Sequence, residues 1–557
     1  MKNFKSLIIV IVAALGASSC AKLKETPKSF ITAQEFYKTP TDAANAVTAC
    51  YYWLNNGDAS TPGGATSQTP YNVLFSTGME MMTDDIDPGP GATNPDVRSQ
   101  SVLQHNSSGL RVLQIWQFHY AAIRDCNIAI DSITLNIHPN QFTPRSLRTQ
   151  YIAEAHALRA LWYFNLVRLY GAVPLVLHDQ DIYSQAAIQV SRNPVDSVYA
   201  QIIRDLTWAA DSLPGSFTGA NVGRVTSWGA LSLLSKVYLT MASFPLRKTQ
   251  YYELAATTAE KVINSGAYAL QSNYSFVFLP QYKNNNETIL AAQFKANSQG
   301  QGNGNAPRGF KNGVPGYTGS YADQLVYYPA DTGTTPVLDP NFSMYKLYQK
   351  HDQRKKYSFV TNPLSPTGAI DTATKSAYWP TFINSKKTDT VPFLNKYFDP
   401  SVGAQLSESG ANVHVIRYAE VLLIAAEAEN EANGPNGPAY NYINEVRTRA
   451  GIPNLTLGLS QVQFRDSVYL ERRLELVWEW QRWFDLIREI GDPSETPVSN
   501  PPTAGPGLTF AADETGGLLL SSLWLVGKIS AAQKHYLYPI PLQEIQLNPN
   551  LTQNPGW

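Results

Sequence analysis

The sequence has few cysteines and no surplus of positive charge. Only Cys20, Cys50 and Cys126 occur in 557 residues, so at most one disulfide remains once Cys20 is assigned to the N-terminal segment. Cys50 and Cys126 lie on apolar helical stretches, where they either pair outside the cytoplasm or pack as small buried side chains. Lysine and arginine number 43 against 44 aspartates and glutamates, without a basic tract. This balance argues against nucleic acid as a partner.

Motifs of the common catalytic classes are also missing. The chain contains no H-E-x-x-H, G-x-S-x-G or G-x-x-x-x-G-K-[ST] sequence. Its eight histidines are scattered, and neither Cys50 nor Cys126 has a neighbouring ligand set. We therefore predict that the protein is not an enzyme and uses no catalytic metal.

One row of carboxylates is the best argument for an enzyme. Glu471, Glu475 and Glu479 are spaced four apart, which places them on one helix face, where a glycosidase might hold its acid and base. The same helix carries Arg472, Arg473 and Arg482, and the preceding one carries Arg447 and Arg449. Ion pairs along a helix face explain the spacing without catalysis, and we favour that interpretation.

A second acidic group surrounds a loop rich in proline and glycine. It consists of Asp84, Asp85, Asp87 and Asp96. Closely spaced carboxylates can bind calcium, and Asp84, Asp85 and Asp87 are the candidate ligands, although the EF-hand pattern is absent. The alternative, which we favour, is a solvated acidic loop; no other cofactor is indicated.

The N-terminal segment has the pattern of an export signal. Lys2 and Lys5 precede an apolar run at 7–15, and small residues at 16–19 lead to Cys20. This order predicts a lipoprotein in which residues 1–19 are removed and Cys20 is acylated; an ordinary secretory signal is the alternative. No later stretch approaches the roughly 18 apolar residues of a membrane span. Lipid at Cys20 would then be the membrane anchor.

Helical periodicity and clear end signals predict most of the scaffold. Thr39-Pro40 marks the start of one helix, and Gly171, Gly266 and Gly451 mark the ends of others. The predicted helices are 42–54, 151–170, 194–213, 226–243, 251–264, 415–432, 438–450 and 464–490. Between them lie long stretches rich in Gly, Pro, Asn, Ser and Thr, at 57–70, 84–105, 284–340, 361–411 and 492–533.

Several helices alternate small and large apolar residues, as in ALRALWYFNLVRLYG and AEVLLIAAEAENE. Alanines let helix backbones approach closely, and each such helix is followed by another after a short turn. The predicted fold is mainly α: an α/α superhelix of tetratricopeptide-like helix pairs with long irregular loop insertions and a few short strands.

Nine sequence blocks, in order, resemble the SusD/RagB family of nutrient-uptake outer-membrane lipoproteins. They are EFYKTPTDAANAVTACYYWL and the stretches 115–131, 153–176, 223–242, 346–359, 416–433, 442–453, 471–488 and 536–557. The resemblance implies a signal peptide at 1–19, an N-terminal helical region at 20–270 and a C-terminal region at 271–557 with a loop-rich insertion at 284–411. The two regions are expected to form one intertwined globule.

The resemblance also implies a function. Members of the family act as the lid of a SusC-type TonB-dependent transporter at the cell surface and capture oligosaccharides or, in some members, peptides. A ligand-independent lid is a further alternative. Acidic residues, common after the lipidated cysteine of surface-exposed members, are reduced here to Glu25.

Aromatic residues in the insertion are the candidate ligand contacts, because the C–H face of a sugar ring packs on an aromatic ring. They are Phe310, Tyr317, Tyr321, Tyr327, Tyr328 and Trp379. In starch-binding relatives the loop after the segment matching Thr83-Asp84-Asp85 carries tryptophans. Here it reads Ile86-Asp87-Pro88-Gly89-Pro90, so starch is not implied as the ligand.

Overall fold

The computed structural model of the chain describes most of its helical scaffold. The described residues are 37–55, 70–83, 85, 95–101, 103–179, 189–294, 347–360, 393–394, 396–397, 410–490 and 533–557. Among them, no helix combines the length and hydropathy that crossing a membrane requires.

The first part of the chain is helical. Its α-helices are α1 (Pro40–Asn55), α2 (Pro95–Ser101), α3 (Leu110–Asn136), α4 (Ser146–Tyr170), α5 (Val195–Ser212), α6 (Ser227–Ala242) and α7 (Tyr251–Asn264). The described residues of this part also form a π-helix at Pro70–Met79 and 3₁₀ turns at Glu80–Met82, Pro139–Gln141, Gly219–Asn221, Tyr274–Val277 and Pro280–Tyr282.

The second part adds short strands to the helices. In chain order it has β1 (Thr288–Ala292), α8 (Gln353–Ser358), β2 (Phe359–Val360), β3 (Phe393–Leu394), β4 (Val413–Arg417), α9 (Tyr418–Asn433), α10 (Gly437–Ala450), α11 (Gln461–Glu475), α12 (Arg482–Ile490), a 3₁₀ turn at Gln533–Tyr536 and α13 (Leu542–Leu547). The strands form two antiparallel pairs, β1 with β4 and β2 with β3.

Successive helices pack on one another in a continuous series. Helix α1 packs on α3, α3 on α4, and the contacts continue through α5, α6 and α7 to α9, which packs on α10 and α11. The alanines of α4 are fully buried beside the equally buried Trp162 and Tyr163, so small side chains admit the neighbouring helices closely. The tetratricopeptide-like arrangement predicted from the sequence is confirmed.

Capping residues and glycines in the sequence predicted the ends of several helices correctly. Helix α7 has the predicted bounds, 251–264. Gly171 and Gly451 end α4 and α10 with φ angles of +71° and +76°, a conformation that glycine adopts without steric penalty. Thr226 caps α6 by accepting a hydrogen bond from the backbone N–H of Gly229 at 3.0 Å.

The predicted helix 415–432 begins too early. Residues Val413–Arg417 form strand β4, whose five side chains are all buried, and the helix starts only at Tyr418. Strand β4 pairs with β1, with Ala292 opposite Val413 and Thr288 opposite Arg417. The β-branched residues Val413, Val415 and Ile416 suit a strand, but the partner that selects it lies about 120 residues earlier.

The predicted helix 464–490 is interrupted. Helix α11 ends at Glu475 and α12 starts at Arg482, with Trp478 and Trp480 between them at φ angles of +60° and +57°. The carbonyl groups that the break frees are bound by distant side chains. The Glu475 carbonyl accepts from the Tyr274 hydroxyl at 2.9 Å, and the Val477 carbonyl accepts from Lys396 Nζ at 2.8 Å. These contacts replace the helical hydrogen bonds that the turn gives up.

A buried ion network surrounds the break. We call it the carboxylate network; it joins Glu287, Asp352, Glu471, Glu475 and Glu479 to Arg354, Lys396, Arg417, Arg447 and Arg449. Arg417 is its central cation: Nη1 lies 2.7 Å from Glu287 and 2.6 Å from Glu475, and Nε lies 2.8 Å from Glu479. Arg417 itself is fully buried.

Cys50 and Cys126 are free, buried thiols. The thiol of Cys50 donates weakly to the carbonyl oxygens of Ala46 at 3.4 Å and Asp125 at 3.6 Å. Of the two alternatives left open by the sequence, the structure has the pair of small buried side chains.

Replacing Arg417 with methionine should destabilise the fold strongly. The change leaves three buried carboxylates short of a cation, which costs about 3–5 kcal/mol of unfolding free energy. Urea denaturation followed by circular dichroism measures it. Arg124→Met is the control, because the Arg124 side chain is 51% exposed and its loss should cost no more than about 0.5 kcal/mol. A loss below about 1 kcal/mol for Arg417→Met would contradict the central role of this side chain.

The buried Glu80 side chain should make the stability of the fold depend on pH. Its side chain is 1% exposed, and neither carboxylate oxygen has a hydrogen-bond partner among the described residues. Burial, assisted by the charge of Asp85, raises the pKa of Glu80 from 4.5 to about 8. The folded state therefore keeps a proton that the unfolded state releases, so this contribution to stability is lost as the pH rises from about 4.5 through about 8.

Urea denaturation at several pH values between about 5 and 8 tests this prediction. Glu80→Gln should remove a fall in stability that the unmodified protein shows across that range. Glu253→Gln, a change at an exposed position, should leave the fall in place. Parallel curves for Glu80→Gln and the unmodified protein would show that Glu80 is ionised in the folded state.

Candidate functional site

The predicted ligand contacts lie outside the described residues. This holds for Phe310, Tyr317, Tyr321, Tyr327, Tyr328 and Trp379, and also for the lipidation residue Cys20. Asp84 and Asp87 fall outside as well. All of them remain predictions.

The glutamate row is not a catalytic acid–base pair. Glu471 and Glu475 are fully buried and Glu479 is 4% exposed. Burial alone would raise the pKa of Glu475, but Arg449, Arg417 and Arg354 together hold it well below its usual range. Against the same effect of burial, Arg417 and Lys396 lower the pKa of Glu479 to about 2. A glycosidase needs one carboxylic acid that stays protonated, and these two carboxylates remain ionised.

The glutamates of this row do form ion pairs, as predicted, but only some of the predicted arginines are their partners. Arg447 and Arg449, on the preceding helix, bind Glu471 and Glu475 as the sequence suggested. Arg472 and Arg473, which share α11 with these glutamates, bind Asp485 and Asp85 instead. The pairs therefore connect separate elements rather than successive turns of one helix.

A second buried network lies beside the first. Arg472 lies 3.0 Å from Asp485, and Arg488 binds both Asp485 and Glu427. These pairs tie α9, α11 and α12 together. Although burial opposes ionisation, Arg472 and Arg488 lower the pKa of Asp485 to about 2, so this cluster too is permanently charged and holds the scaffold.

Asp85 does not belong to a solvated loop. Its side chain is 1% exposed and accepts a hydrogen bond from Arg473 Nε at 2.7 Å. Asp96 accepts from the backbone N–H of Arg111 at 3.0 Å, near the start of α3. No group of three or more His, Cys, Asp or Glu side chains that could hold a metal occurs among the described residues. The interpretation of Asp85 as a solvated residue was wrong because its partner lies 388 residues away.

A large cavity opens between helix ends and the C-terminal segment. Its volume is about 980 Å³, within the range of small-molecule sites. Its walls are formed by helices α4, α5 and α12, by the end of α6 with the residues 244–246 that follow it, and by residues within 534–556. The lining combines aromatic and aliphatic side chains with Arg168, Arg488 and Lys534.

Sequence reasoning missed this cavity. Phe244, Phe484 and Tyr536 line it, yet each belongs to a different stretch of the chain. Each stretch by itself has the pattern of a packed helix or a terminal segment. Only the superhelical path brings them together, so no local signal marks the site.

Comparison with known families identifies both parts of the chain. Residues 286–557 match the model of the SusD family, and residues 77–239 match a family described as "Starch-binding associating with outer membrane". The two matches together cover most of the chain, including the carboxylate network and most of the residues around the cavity.

Relatives match over nearly their whole length. SusD-like protein P2 of Formosa agariphila is 27% identical over 574 residues, covering 100% of both chains. The crystal structure of a SusD superfamily protein from Parabacteroides distasonis has a TM-score of 0.71 and 27% identity, covering 93% of this chain and 100% of that one. A laminarin-binding SusD-like protein has the same fold, with a TM-score of 0.66, 24% identity and coverage of 94% and 100%.

These matches agree with the scaffold and with its chemistry. The family matched by residues 77–239 is described as binding rather than catalytic, in keeping with the ionised glutamate row. The full-length agreement with a solved SusD structure extends this to the fold. The chain belongs to the SusD/RagB family of non-catalytic, outer-membrane-associated binding proteins.

Proposed function

We propose that the protein is a cell-surface lipoprotein that captures oligosaccharides and passes them, unhydrolysed, to a SusC-type TonB-dependent transporter. The observation that carries the proposal is the match of residues 77–239 to a family described as starch-binding and associated with the outer membrane. The full-length agreement with SusD-like relatives supports extending that description to the whole chain.

The scaffold suits a binder better than a catalyst. Glu475 and Glu479 of the glutamate row are neutralised by arginines and a lysine, so they are unavailable for proton transfer. A helical framework fixed by such pairs can hold binding loops in constant positions. We assign the sugar contacts to the aromatic residues of the insertion: Phe310, Tyr317, Tyr321, Tyr327, Tyr328 and Trp379.

A panel of glycans can distinguish the possible ligands. Two proteins of the same fold carry laminarin or laminarihexaose in their names, which makes β-glucan oligosaccharides a reasonable first choice. Starch oligosaccharides belong in the panel because of the family description, although the tryptophans of the starch-binding loop are absent here.

We further propose that regions 20–270 and 271–557 fold as one intertwined unit after residues 1–19 are removed. Two contacts support this. Helix α7 of the first region packs on α9 of the second, and Lys236 of α6 lies 2.8 Å from Glu420 of α9. Both partners of that ion pair are nearly fully buried, so separating the regions would expose charges that depend on each other.

Calorimetry with a panel of laminarin, starch and peptide ligands tests the binding role. We expect oligosaccharide binding without hydrolysis products. At least one of Tyr317→Ala, Tyr321→Ala, Tyr327→Ala and Tyr328→Ala should weaken binding about tenfold, because one stacking contact is lost. Tyr282→Ala is the control, since Tyr282 is 40% exposed outside the insertion and stacks on Phe276. Full affinity in all four variants would refute the placement, and rapid turnover of any glycan would refute the binding role.

Metabolic labelling with radioactive palmitate tests the anchor. The unmodified chain should incorporate label and fractionate with the outer membrane, together with a β-barrel partner in pull-downs. Cys20→Ser should remove the label, because the acceptor thiol is gone. Cys50→Ala should keep it, because Cys50 is buried in the folded scaffold. Label retained in Cys20→Ser would place the modification elsewhere.

A further inference from the structure

The cavity described above has an unbalanced charge. Its lining includes Arg168, Arg488 and Lys534 but no aspartate or glutamate among the described residues. Arg488 is already neutralised by Glu427 and Asp485. The other two cations, Arg168 and Lys534, have no carboxylate partner among the described lining residues.

Arg168 is held by neutral groups. Its guanidinium lies between two aromatic rings, 3.9 Å from the centroid of Phe164 and 3.8 Å from that of Phe484. Its Nε donates to the Phe164 carbonyl at 3.3 Å, and Nη2 donates to Asn165 Oδ1 at 2.7 Å. No ion pair with a described carboxylate accompanies these contacts. Burial without such a partner lowers the pKa of Arg168 to about 10, which still leaves it charged at neutral pH.

This setting suits recognition of a carboxylate. The two rings fix the plane of the guanidinium, so little side-chain freedom would be lost when a ligand binds. A planar guanidinium can bind a carboxylate through two parallel hydrogen bonds. Water is a poorer competitor at a half-buried site than at an open surface, so the interaction is stronger there.

Lys534 supplies a second cation, and aromatic rings supply apolar contacts. Its Nζ lies 4.5 Å from the centroid of the Trp557 ring, and no described carboxylate forms an ion pair with it. Phe244 and Tyr536 meet edge to face with centroids 5.7 Å apart and also line the cavity. Rings of this kind can pack on the C–H face of a pyranose while the cations bind its charged substituent.

We propose that this cavity binds a uronic-acid unit of an oligosaccharide, with Arg168 and Lys534 pairing with its carboxylate and Phe244 and Tyr536 packing on its ring. The proposal rests on the proposed glycan-binding function and narrows it to acidic sugars at a defined place. That place is formed by helix ends and the C-terminal segment, separate in sequence from the aromatic insertion.

Calorimetry on the full mature chain, with oligogalacturonate and its carboxyl-reduced counterpart, tests the proposal. The two probes differ only in the charged group. We expect oligogalacturonate to bind about 10- to 100-fold more tightly than the reduced sugar, because a charge-assisted contact is worth about 1.5–3 kcal/mol. Arg168→Gln should remove most of that preference and leave binding of the reduced sugar unchanged. The preference should also shrink at high salt.

Two further variants guard against a folding artefact. Lys534→Gln changes a partly exposed side chain and should weaken only oligogalacturonate binding, with an unchanged melting temperature. Arg124→Gln removes an exposed arginine outside the cavity and should change neither ligand's affinity.

Several outcomes would overturn the proposal. Equal affinity for the two sugars would do so, as would tighter binding of a glutamate-rich peptide that Arg168→Gln removes. If Arg168→Gln only lowers stability and alters no affinity, Arg168 serves the fold and does not bind the carboxylate. If oligogalacturonate binds but only the insertion variants weaken its binding, glycan capture stands and the uronate site in the cavity is refuted. If no glycan binds at all, the proposed function fails first.

Discussion

The burial of the Glu475 carboxylate is the constraint around which the second part of the chain is arranged. A carboxylate taken out of water needs cations and hydrogen-bond donors in fixed positions. Arg354 of α8, Arg417 of β4 and Arg449 of α10 supply them. These three elements are separated in sequence, so a single charge sets how they meet. The same arginines serve Glu471, Glu479, Glu287 and Asp352, which makes the arrangement hard to change piecemeal.

The network also accounts for the backbone around it. Helix α11 stops at Glu475, where its carbonyl accepts hydrogen bonds from Tyr274 and Arg417 rather than from the next turn. Glu479 then points to Arg417 and Lys396 from a turn in which Trp478 and Trp480 take left-handed φ angles. Such angles are unfavourable for large side chains, and buried ion pairs on both sides of the turn hold it in place.

The sequence predicted features that depend on neighbouring residues. The ends of α7 and α10 follow from caps, glycines and helical periodicity, and the resemblance to SusD/RagB proteins follows from nine sequence blocks in order. Strand β4 and the break after Glu475 could not be predicted, because their partners lie about 60–200 residues away. The glutamate spacing correctly indicated ion pairs, but only the fold shows that Asp85 takes Arg473 and leaves Glu475 to other arginines. The cavity could likewise not be predicted from the sequence, because its walls come from five separate segments.

The contrast between Arg417 and Arg168 shows how structural and binding cations differ in one protein. Arg417 is fully buried and surrounded by carboxylates, so its charge is neutralised within the fold and stabilises it. Arg168 is held by two aromatic rings and neutral oxygens, which stabilise its position without cancelling its charge. Cation–π contacts offset part of the desolvation of a guanidinium but leave its hydrogen-bonding edge able to accept an anion. A cation kept in this way beside an open cavity retains a binding energy that the fold itself does not use.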